Sequence, residues 1–118
     1  MRWIQIGKSA EDALEKIRTQ DLDIGKNFYA AMGRRKVEGN DIFGSLVNSG
    51  LFVFGTVDSV RQQLIEQWKI LPGEHIVLVN HYAQTPKDVV LETLDIFQRQ
   101  IKPAMDEVID DSYRVAAE

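Results

Sequence analysis

Two short apolar runs constrain the fold more than any other feature of the chain. Leu51-Phe52-Val53-Phe54 lies between Gly50 and Gly55, and Ile76-Val77-Leu78-Val79 lies between His75 and Asn80. Short runs of aromatic and β-branched residues without polar alternation suit strands buried on both faces of a parallel sheet. Between them, Val57, Val60, Leu64, Trp68 and Leu71 recur at spacings of three and four, which predicts an amphipathic helix over about 57–70, ended by Pro72-Gly73. After the second run, Thr85-Pro86-Lys87-Asp88 sets a hydroxyl at the N-cap, proline at N1 and an acid at N3. Val90, Leu94, Phe97 and Ile101 carry that helix to Pro103, where the missing donor and the ring clash should kink or end it. Residues 106–117 predict a further helical piece. The order strand, helix, strand, helix over 51–102 makes the two strands parallel with a right-handed crossover. The chain therefore reads as α/β.

The first 50 residues read differently. Ile4 and Ile6 flank Gln5 in a short alternation that predicts a strand over 2–6. Ser9 followed by Asp12 is a capping-box pattern, and Ala10, Ala13, Leu14 and Ile17 supply the apolar stripe of a helix over about 9–19. A second helical segment fits 21–33, where Ile24, Phe28 and Ala31 share a face before Gly33. Gly33, Gly39, Gly44 and Gly50 punctuate a long loop over 33–50 that carries the triplet Arg34-Arg35-Lys36. The expected organisation is one domain over 1–118, with a helical part at 1–50 and a βαβα part at 51–108.

Composition narrows the function. At 118 residues the chain is too short for a complete (β/α)8 barrel, which takes roughly 250. Eighteen acidic against fourteen basic residues give a formal charge of −4, which disfavours phosphate backbones and anionic lipid, so no nucleic-acid or membrane partner is expected. The absence of cysteine excludes disulfides, thiolate metal sites and a cysteine nucleophile. With no secretory leader or membrane span recognisable in the sequence, the expected location is the cytoplasm.

Few residues carry a chemical signal. Gly50 and Gly55-Thr56 have the spacing of a phosphate-binding loop, but lysine is absent before the hydroxyl residue and the intervening residues are strand-like, so a Walker A loop is rejected. Gly55-Thr56 still lies at a strand-to-helix turn, where amides can receive a phosphate or Thr56 can cap its own helix; the capping reading is favoured. His75 and His81 would sit near the two ends of one strand, roughly 20 Å apart at 3.3 Å per residue, too far to share a metal. His81, with Asn80 and Tyr82, falls at the carboxyl end of that strand, where parallel α/β folds place ligands, and is the candidate for a polar contact or proton transfer, although a turn histidine is more often solvated. Asp106, Glu107, Asp110 and Asp111 could hold a cation but read as a solvated helix face, and no metal site is expected. Arg34-Arg35-Lys36 could clamp an anion but reads as an exposed triplet. Trp3, Trp68, Phe28, Phe52, Phe54 and Phe97 read as core. No complete nucleophile, base and acid set can be assembled.

Three segments in order, Gly55-Thr56-Val57-Asp58-Ser59-Val60, the run His75–Asn80, and Phe97-Gln98-Arg99-Gln100-Ile101-Lys102-Pro103-Ala104-Met105, resemble the C-terminal end of the bacterial luciferase-like flavin-dependent monooxygenases. Members of that family carry a Gly-Thr-Pro-Glu-Glu-Val-like helix start, a buried strand, and a last helix with a Phe-x-x-x-Val-x-Pro-x-Leu-like ending. Val57, Ile101 and Met105 depart from it at proline, valine and leucine positions. The resemblance covers residues 50–108 well and the first strand and helix more loosely. It implies the terminal βαβα part of a TIM-barrel-like (luciferase-like) fold, helix-rich and incomplete as a barrel. It implies FMN or a related flavin as cofactor, with Gly55, Thr56, Asn80, His81 and Tyr82 near the active-site end. Most flavin contacts of the family come from earlier parts of the barrel, so the chain alone is expected to be catalytically incomplete. Open strand edges imply a homo-oligomer or a complementing barrel chain. The alternatives are a non-catalytic α/β interaction or assembly module, or one half of a split flavin enzyme.

Overall fold

The computed structural model describes residues 1–21, 44, 47–48, 50–80 and 85–118. Strand β1 (Arg2–Ile6) leads into helix α1 (Ala10–Lys16), which widens into a π-helical turn (Ile17–Asp21). Strand β2 (Phe52–Gly55), helix α2 (Val57–Ile70) and strand β3 (Leu78–Val79) follow. Helix α3 (Lys87–Ile96), a second π-helical turn (Phe97–Ile101) and helix α4 (Lys102–Ala117) complete the chain. The expected 21–33 helix, most of the 33–50 loop with its basic triplet, and Phe28 lie outside the described residues.

All three strands are parallel, in the order β2-β1-β3. Trp3 pairs with Phe52, Ile4 with Val53 and Ile6 with Gly55, while Arg2 and Trp3 pair with Leu78 and Val79. Since neighbours in register point to the same side, the sheet has two distinct apolar faces. Trp3 and Phe52 pack with Ile17 on one, their rings edge to face at 5.0 Å and 80°. Ile4, Ile6 and Val53 pack on the other against Val60 and Leu64 of α2, with Ile101 and Met105. Burial of this kind contributes roughly 1.5–3 kcal/mol per large apolar side chain, so both faces are needed to hold so small a sheet.

Local signals explain the helix starts. The Ser9 hydroxyl accepts from the Asp12 amide at 3.2 Å while the Asp12 carboxylate accepts from the Lys8 amide at 2.8 Å, a reciprocal cap of the predicted kind. Thr56 caps α2 by accepting from the Ser59 amide at 3.3 Å, and α2 covers the predicted 57–70 span.

Three expectations change. The 75–80 run is not a buried strand: only Leu78 and Val79 pair, and Ile76 and Val77 are exposed. Register is the reason: Leu78 lies level with Arg2, Val77 only accepts the Arg2 amide through its carbonyl at 2.9 Å, and the residues before it fall beyond β1. Thr85 does not cap α3; Pro86 occupies the cap position without a side-chain bond, and the Thr85 hydroxyl is buried with no hydrogen-bond partner among the described residues. Pro103 does not end the helical run either. It stands in the first turn of α4, and the amide of Lys102 reaches back five residues to the Phe97 carbonyl. The widened turn lets the chain pass the proline, which lacks a donor for a regular helical bond.

Candidate functional site at the carboxyl edge of the sheet

Chain direction distinguishes the two edges of the sheet. The helix after β1 lies on the Trp3 face, whereas α2, after β2, and the helical run after β3 pack on the Ile4 face. In open parallel sheets ligands bind beyond the carboxyl ends of the strands, where successive connections leave in opposite directions. Here that edge is formed by Gly7-Lys8, Gly55-Thr56 and Asn80.

Gly55 is the most constrained residue there. Its φ of 136° lies in the region that favours glycine, and an added Cβ would stand 2.9 Å from the Ser59 hydroxyl. Its carbonyl accepts from the Gly7 amide at 2.9 Å, which ties the β1 and β2 turns together. Gln63 reaches over the same turn, donating from Nε2 to the Phe54 carbonyl at 2.8 Å and to the Ser59 hydroxyl at 2.9 Å. Beside β1, Lys16 Nζ donates to the Ile6 carbonyl at 3.0 Å and stands 3.6 Å from the Asp12 carboxylate. The Lys8 amide holds the Asp12 carboxyl below the usual aspartate range, with the Lys16 charge adding to the effect. The Glu11 carboxyl is lowered chiefly by its own backbone amide and then by the Ser9 hydroxyl.

The predicted residues are only partly brought together. Gly55 lies level with Ile6 on one flank of β1. Asn80 follows Val79, which lies level with Trp3, on the other flank. Two strand spacings and about two residues of rise separate them, roughly 12 Å between backbones, so Gly55 and Asn80 do not form one contact site. Thr56 Oγ1 is committed to its cap. His81 and Tyr82 lie outside the described residues. His75 is exposed and lies at the opposite, amino edge, near Arg2. The acidic residues of α4 form a solvated face, where Asp106 meets Lys102 at 2.5 Å and Asp111 meets Arg114 at 3.2 Å. Of the aromatic residues, Trp3 and Phe52 are core, while Phe54, Trp68 and Phe97 are partly buried.

Sequence reasoning missed Lys16 and Gln63. The i, i+4 spacing of Asp12 and Lys16 was visible, but the reach of Lys16 to the end of β1 depends on how α1 crosses the sheet. Chemically, this edge offers amide, ammonium and hydroxyl donors suited to a small anion. Among the described residues it has no histidine and no paired nucleophile and base.

Among the described residues, no helix is long and apolar enough to cross a membrane. No family model, curated protein or solved structure matches the chain.

Proposed function

We propose that the chain is a luciferase-like, flavin-dependent monooxygenase-related segment that contributes part of a flavin site and is not catalytically complete alone. The reading rests on the ordered resemblance over residues 50–108. It is supported by one observation: parallel strands whose carboxyl ends carry Gly55-Thr56 with the donors Gln63 and Lys16 beside them. On this reading, the turn faces the phosphate of FMN or a related flavin. Asn80 lies on the far flank of β1, and the resemblance makes His81 and Tyr82 further candidates, His81 for proton transfer. The chain is then the terminal part of a TIM-barrel-like fold, located in the cytoplasm and completed by a complementing barrel chain or by further copies of itself.

The strand order favours a second reading. Strands taken consecutively around a barrel would make β2 and β3 neighbours, whereas β1 stands between them. A barrel therefore requires β3 to leave the flank of β1 for the free edge of β2. A chain that keeps the order β2-β1-β3 is not a barrel segment, which favours the α/β interaction or assembly module.

Fluorescence titration of FMN with the purified chain, repeated with riboflavin, separates the two. Saturable quenching that needs the phosphate, and that Lys16→Gln weakens, supports the flavin segment. Absence of binding at high micromolar concentration favours the module.

A further inference from the structure

Opposite the candidate site, at the amino edge of the sheet, a groove of about 710 Å3 opens between α2, the 71–76 connection and α4. Leu64, Trp68, Leu71, Phe97, Met105 and Ile109 give it an apolar floor, with polar and charged side chains at its rim. That volume lies within the roughly 300–1,000 Å3 of small-molecule sites, which pair apolar walls with a few fixed polar groups.

Of the charged side chains that line it, Arg2 is the one held in place by a neutral partner. Its Nε donates to Gln67 Oε1 at 2.6 Å and its Nη1 to the Met1 carbonyl at 2.8 Å. Gln67 thus fixes the guanidinium plane where it lines the groove. Arg2 is partly buried and pairs with no carboxylate among the described residues, although the chain is acidic overall. Asp106 on the same groove is taken by Lys102, and Glu74 is outside ion-pair reach of Arg2. A fixed guanidinium with unspent N–H donors above an apolar floor is complementary to one chemistry: a carboxylate bearing an apolar tail.

We propose that this groove binds a small acyl or aryl carboxylate, with Arg2 receiving the carboxylate and the Trp68, Leu71 and Phe97 side chains covering the tail. The inference is independent of the flavin reading, since the two sites lie at opposite ends of the strands.

Octanoate is the probe, with octan-1-ol as its uncharged counterpart, followed through tryptophan fluorescence and calorimetry on the full chain. The expected result is saturable one-to-one binding of octanoate that Arg2→Gln weakens at least about tenfold, the scale of one charge-assisted hydrogen bond. Arg2→Gln should leave octan-1-ol binding unchanged. Leu71→Trp, at a highly exposed position that the fold does not need, should weaken both by filling the groove. Equal affinity for the two probes, no effect of Arg2→Gln, or no saturable octanoate binding overturns the proposal. Should Arg2→Gln fail to fold, chemical-shift mapping on the unaltered chain decides. Octanoate shifts at the Trp68 indole and Met105 methyl support the groove, and shifts confined to other surfaces overturn it.

Discussion

The amide of Gly7 donates to the carbonyl of Gly55 at 2.9 Å, so the turns that end β1 and β2 are bonded to each other directly through their backbones. Neither position has room for a side chain. A Cβ on Gly7 would lie 2.6 Å from the backbone nitrogen of Ala13, and one on Gly55 would meet Ser59 on a backbone already at positive φ. Gly55→Ala is expected to lower stability by about 1–3 kcal/mol through backbone strain. Gly7→Ala should cost more, because its clash is with backbone rather than with a side chain that can turn away. Urea denaturation midpoints of the two variants check this, and an unchanged midpoint for Gly7→Ala would contradict the close approach.

Core and surface leucines should separate cleanly. Leu64 is 1% exposed in the cluster between α2 and the sheet, whereas Leu91 is 55% exposed on α3. Leu64→Ala is expected to cost about 2–5 kcal/mol and Leu91→Ala less than about 0.5 kcal/mol. Comparable thermal shifts for the two would refute the assignment of α2 to the core.

Thr56 acts as a cap in the structure, and its hydroxyl can be tested as one. Thr56→Ala should destabilise by about 1 kcal/mol and Thr56→Ser by much less. If Thr56→Ala is neutral to folding yet abolishes FMN binding, the hydroxyl serves the ligand rather than the helix.

Asp12 links stability to pH. Its carboxyl is depressed in the folded chain by the Lys8 amide and the Lys16 charge, so the unfolded chain binds the proton more readily. The contribution is therefore fully present above the unfolded aspartate value and is lost as pH falls through the lowered folded value. Melting temperatures taken from neutral to strongly acidic pH should fall less steeply for Asp12→Asn than for the unaltered chain. Parallel curves would mean that Asp12 is not the group responsible.

Among the described residues, the flank of β3 away from β1 pairs with no strand, so association along it can be tested. Val77 is 59% exposed and Ile76 46%, with no charge or proline from Ile76 to Val79 to blunt the edge. Val77→Lys should lower the sedimentation-measured association of the chain while leaving its melting temperature unchanged. An unaltered association profile would place the contact elsewhere.

Much of this arrangement was legible in the residues. The α2 span followed from its apolar spacing, the α1 cap from Ser9 and Asp12, and the parallel orientation of the strands from the strand, helix, strand order. Strand order was not, since β1 could insert between β2 and β3 only through packing that no local pattern encodes. The same holds for the 75–80 run: its composition matches a central strand, but register against Arg2 leaves half of it uncovered. At the candidate site, Gly55-Thr56 was recognisable as a turn. Its separation from Asn80 depended on the inserted strand, and the donors from Gln63 and Lys16 arrive by tertiary reach.

The widened turn at 97–101 acts as a phase shifter. An α-helix advances about 100° per residue, and a turn closed over five residues instead of four resets the angular position of everything after it. After it, Ile101 and Met105, four residues apart, share one face and reach the cluster that Ile96 and Phe97 pack against before it. Removing one residue between Phe97 and Ile101 would restore a regular helix at the cost of rotating α4 by about a quarter turn. Ile101 and Met105 would then turn together away from the position they hold in the cluster. The aperiodic turn is thus what keeps the end of the chain in register with its beginning.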